Sequence, residues 1–64
     1  MNRNMFNSAM AQQGYTQKML AKAINMSEST MTRKVKTGSF TLPEAQKIVD
    51  VLHIERPGEI FFAE

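Results

Sequence analysis

The chain is cut at short intervals by residues that stop or start helices: Gly14, Asn25, Gly38 and the run Thr41-Leu42-Pro43-Glu44. Between the cuts, apolar side chains recur three or four positions apart, which gives each segment one apolar face. No β-branched residues alternate with polar ones over a useful length, so no strand is predicted. Short helices joined by tight turns are what this pattern permits. With 64 residues and no cysteine, neither a disulfide nor a thiolate metal site can help. A chain of this size buries only about 60% of its unfolded surface, so helix packing has to supply the stability. The expectation is one all-α domain, residues 1–64, of five short helices.

Met5, Phe6, Ala9 and Met10 place the first helix between Asn4 and Gln13, with Asn4 as its cap and Gly14 as its left-handed stop. Thr16 is suited to cap a second helix, Gln17 to Ile24, which buries Leu20, Ala21 and Ile24. Asn25 tolerates positive φ and can make a tight turn, with Met26 as its buried plug. Ser27 caps a third helix from Glu28 to about Lys36, and Gly38 ends it. Thr41 and Glu44 form a capping box for a fourth helix that reaches about Leu52. Ala45, Ile48, Val49 and Leu52 share its inner face, and Pro43 falls in the first turn, where a missing N–H is harmless. Pro57 can start a fifth helix carrying Ile60, Phe61 and Phe62. Three consecutive bulky residues cannot all face one way: part of this surface is expected to cover the fourth helix, and the rest either is left for a partner or merely closes a small core.

The third helix carries the functional signal. Its sequence, ESTMTRKVK, offers a core only Met31 and Val35. At 100° per residue these two share a face, while Ser29, Thr32, Arg33 and Lys36 line nearly the opposite one. Hydroxyls lower helix propensity, so a merely solvated face would be better served by Glu, Lys and Gln. Short donors and acceptors together with Arg are what read base edges in a major groove. Arg pairs with guanine, Ser and Thr bond to several bases, and a Thr methyl can touch a thymine methyl. Two helices joined by a turn of three or four residues form a helix-turn-helix unit. In it the first helix N-terminus, here Thr16, Gln17 and Lys18, meets backbone phosphate through free N–H groups. Small Ala21 fits where the two helices approach closely.

Charge distribution agrees with a polyanionic partner. Residues 1–41 hold six basic and one acidic side chain, +5, and residues 42–64 hold two basic and five acidic, −3. The basic part suits nucleic acid and the acidic part suggests a separate task. No apolar run approaches the roughly 20 residues of a membrane span, and MNRNMFNSAM does not look like a secretory signal. A cytoplasmic protein without membrane attachment is expected. Paired carboxylates, a Ser/His/Asp set, a Gly-rich phosphate loop and a metal cluster are all missing, so no catalytic residue, metal or cofactor is assigned. His53 reads as a surface or half-buried residue near a helix end. Met5, Met10, Met26 and Met31 read as core filler.

The stretch GYTQKMLAKAINMSESTMTRKVKTG resembles the helix-turn-helix core of phage repressor and Cro-type proteins. It has their Thr-Gln opening, their buried Leu-Ala and an apolar-Ser turn. A Ser-Thr-apolar-Thr-Arg reading segment follows. The likeness extends over residues 4–62 and includes LPEAQKIVDVLHI. Arg33-Lys34 and the tail PGEIFF are similar to small regulators from phages of Gram-positive bacteria, of the lactococcal type. The resemblance implies a lambda-repressor-like domain that works in a lysis-lysogeny switch and binds double-stranded operator DNA. It also implies a homodimer through the C-terminal helices. Lys18, Lys22, Lys34 and Gln17 would touch phosphate, and Ser29, Thr30, Thr32, Arg33 and Glu28 would face bases, with Lys36 on the same row. Two departures stand out. Asn25 replaces a usual Gly, and Glu28 occupies a position often held by Gln, which can pair bidentately with adenine. Glu28 could instead accept from cytosine, repel phosphate, or offset the dipole at the helix start. The alternative function is an antirepressor, a modulator of repression that binds a co-encoded phage repressor and masks its DNA-binding helix. Low net charge, Glu28 and the acidic C-terminal part favour that alternative.

Overall fold

The computed structural model describes residues 1–62, and Ala63 and Glu64 lie outside the described part. Five helices follow in chain order: α1, Arg3–Gln12; α2, Gln17–Ala23; α3, Glu28–Thr37; α4, Leu42–Leu52; α5, Pro57–Phe61. Among the described residues there is no strand.

Local chemistry sets nearly every boundary. The hydroxyls of Thr16, Ser27 and Thr41 each accept from the backbone N–H three residues on, which satisfies one orphan donor per helix start. At α4 the box is closed in both directions, since Glu44 also accepts from the Thr41 N–H at 2.8 Å. Gly14 and Gly38 take the left-handed conformation, at φ 70° and 68°, and Asn25 does so at φ 59°. His53 ends α4 in the same region, at φ 53°, and its side chain is exposed.

One boundary differs from the sequence reading. Asn2, not Asn4, caps α1, accepting from the Met5 N–H at 3.1 Å. The helix starts early because its first turn is held from outside: the Asn2 N–H donates to the Ile60 carbonyl of α5 at 2.7 Å. This long-range bond joins the two ends of the domain.

Phe6, Leu20, Met31, Ile48 and Leu52 form the fully buried centre, one or two from each of the first four helices. Met10, Ala21, Ile24, Val35 and Ile60 complete the core. An aromatic trio lies at one end: Phe6 stacks on Phe40 at 5.9 Å, and Phe61 sets its edge against both rings at 6.4 and 6.1 Å. Phe40, in the link between α3 and α4, carries no periodic signal, so its role emerges only in three dimensions. Two methionines differ from expectation. Met5 is 37% exposed, because it lies beside Phe6 on the outer flank of α1, and Met26 is half-buried against the core rather than sealed within it. Phe62 is 65% exposed, as the crowding of three bulky residues predicts.

Candidate nucleic-acid interface

Helix α2 packs on α3 and also on α4, so the central pair has a rigid support. Ala21, 1% exposed, leaves room for the close approach of α2 and α3. The connection holds its own bonds: Met26 N–H donates to the Ala21 carbonyl at 2.8 Å, and Asn25 N–H to Lys22 at 3.2 Å. Met31 and Val35 pin α3 inward, at 0% and 6% exposure.

That anchoring turns the other face outward. Glu28, Ser29, Thr32, Arg33 and Lys36 are all exposed and border one shallow concavity. The row also has a cross-helix brace. Thr32 Oγ1 donates to Gln17 Oε1 at 3.4 Å, tying the middle of α3 to the first residue of α2. Gln17 is half-buried in this position, while Lys18 and Lys22 stand exposed on α2.

Two side chains sit apart from the row. Thr30 is half-buried, and its Oγ1 accepts from Ser27 Oγ at 2.7 Å, so it supports the cap of α3. Lys34 faces α4. Its ammonium donates to both carboxylate oxygens of Glu44, one of them at 2.6 Å, with side-chain exposures of 16% and 23%. The phosphate contact expected of Lys34 is therefore corrected: its charge is spent on joining α3 to α4. Lys34 and the backbone N–H of Thr41 hold the Glu44 carboxyl below its ordinary pKa. Sequence reasoning placed Glu44 in the capping box but missed this second partner, which lies ten positions away with no local signal.

The result is a donor- and acceptor-bearing helix, braced by a neighbour with exposed lysines, and small enough to enter a major groove about 12 Å wide. Over residues 5–64 the sequence matches the family described as Cro/C1-type HTH DNA-binding domain.

The chain belongs to that family.

A Cro/C1-type domain is the DNA-binding part of a transcription regulator, and its helix-turn-helix unit here is α2, the turn and α3. Neither a curated protein nor a solved structure matches the chain. No described helix is long and apolar enough to cross a membrane.

Proposed function

We propose that this chain is a small phage transcriptional regulator that works in a lysis-lysogeny switch by binding double-stranded operator DNA through α3. The observation that carries the reading is the exposed row Glu28, Ser29, Thr32, Arg33 and Lys36, turned outward by the burial of Met31 and Val35 on the opposite face of α3. Ser29, Thr32 and Arg33 face base edges. Gln17 and Lys18, with Lys22 behind them, meet phosphate at the start of α2, and Lys36 extends the basic end of the row. The exposed Phe62 beside α5 supports pairing of two copies through the C-terminal helices, each reading one half-site. The setting is the cytoplasm of a bacterial host. The phage assignment rests on the likeness of the Arg33-Lys34 pair and the PGEIFF tail to small phage regulators.

A second reading is favoured by two observations. Lys34 is neutralised by Glu44, and Glu28 stands open at the head of the row. Both reduce the pull on phosphate. Under this reading the chain is an antirepressor that binds a co-encoded phage repressor and covers that partner's DNA-binding helix.

Titration against the phage promoter region at low salt, with and without the co-encoded repressor, separates the two. Binding by the chain alone, weakening steeply as salt rises, is the outcome expected of the regulator. No binding alone, with release of the repressor from DNA, replaces it with the antirepressor.

A further inference from the structure

Glu28 is the one carboxylate among residues 1–41. It stands exposed at the start of α3 and borders two concavities. One, at the helix-turn-helix connection, it shares with Lys18 and Lys22. The other, along the outward face of α3, it shares with Arg33 and Lys36. These four are all the exposed cations that α2 and α3 carry, because Lys34 is taken by Glu44. Arg33 lies five residues on, about 7.5 Å along the axis at 1.5 Å per residue, inside the screening length of roughly 10 Å at 0.1 M salt. No ion pair occupies the Glu28 carboxylate: among the described residues, the paired carboxylates are those of Glu44 and Glu59. Nor does the helix need it as a cap, since Ser27 Oγ already accepts from the Thr30 N–H at 3.2 Å. A free anion among four cations subtracts from the field they place on a polyanion.

We infer that Glu28 is a built-in brake on DNA binding: its charge repels phosphate, lowers affinity for every duplex alike and chooses no base. The inference rests on the DNA-binding function proposed above and adds the group that restrains it. One carboxylate offsets a quarter of the exposed positive charge on the two helices. Binding to unmatched DNA is almost wholly electrostatic, so the brake frees the protein from sequences that offer α3 no base contacts.

The test compares wild type, Glu28→Gln and Glu28→Asp on the promoter-region duplex and on a mixed-sequence duplex of equal length, across a salt series. Thermal melting checks each fold and registers any loss of the dipole interaction at the start of α3. Gln keeps the length and an acceptor oxygen but drops the charge, whereas Asp keeps the charge but shortens the reach. Glu28→Gln is expected to bind both duplexes about 3- to 10-fold more tightly at about 0.1 M salt. Its slope of log affinity against log salt should steepen by about one, so its advantage grows about 3- to 4-fold between about 200 and 50 mM. Glu28→Asp should match wild type in affinity and slope. An unchanged salt slope, unchanged or weaker binding by Glu28→Gln, a gain confined to one duplex, or Glu28→Asp behaving like Glu28→Gln would each overturn the brake while leaving DNA binding standing. Wild type silent on both duplexes while Glu28→Gln binds would support the brake and favour the antirepressor reading. All three proteins silent at low salt would overturn the DNA-binding function itself, and the brake with it.

Discussion

Glu44→Gln should loosen the junction between α3 and α4 by about 1–2 kcal/mol. The Glu44 carboxylate receives the Lys34 ammonium at 2.6 Å and the Thr41 N–H at 2.8 Å. An exposed ion pair contributes about 0–1 kcal/mol, and breaking a fully buried one costs about 3–5 kcal/mol. With side chains 16% and 23% exposed, this pair falls between those limits. Gln keeps an oxygen for the Thr41 N–H, so the change removes mainly the charge facing Lys34. In a domain of this size about 1 kcal/mol corresponds to roughly 4–8 °C in midpoint, so thermal unfolding at pH 7 should begin clearly earlier. The pH dependence carries the same signature. Glu44 has a lowered folded-state pKa, so between that value and its ordinary 4.5 the unfolded chain binds more protons. Stability from this group is present in full above 4.5 and is lost as pH falls through the folded value. Calorimetry or circular dichroism melts from pH 7 down to acid should show a steeper loss for wild type than for Glu44→Gln. Equal midpoints at pH 7 together with equal acid slopes would refute the account of this junction.

Further outcomes follow from the same geometry. Lys18→Ala should reduce the slope of log affinity against log salt by about one for any duplex, whereas Lys34→Ala should leave that slope unchanged and lower stability instead. Arg33→Ala should weaken operator binding by about 1–3 kcal/mol with little effect on random DNA, and equal losses on both would count against base reading. Met31→Ala opens a cavity at a fully buried site and should cost about 2–5 kcal/mol, enough to leave much of this small domain unfolded at 37 °C, as read by amide exchange or circular dichroism. Asn25→Gly should be neutral or mildly stabilising at φ 59°, while Asn25→Val should melt several degrees lower, and the reverse order would contradict a left-handed turn.

The sequence by itself determined the helices and their order, the caps at Thr16, Ser27 and Thr41, the turns at Gly14, Asn25 and Gly38, and the outward row on α3. These are legible because each depends on residues within one helical turn: a cap hydroxyl reaches three positions, and a face repeats at three and four. Tertiary structure alone decided which polar groups were free to act. Lys34 and Ser29 look equally available in the string of letters, yet Lys34 is taken by Glu44 and Ser29 is open to solvent. The same holds for Asn2 anchored to Ile60, Phe40 set against Phe6 and Phe61, and Thr32 braced by Gln17. Each of these contacts joins segments whose separation along the chain exceeds any local period, and only packing brings them within reach. The reading helix is thus written locally, while which of its polar side chains stay free to act is a property of the folded whole.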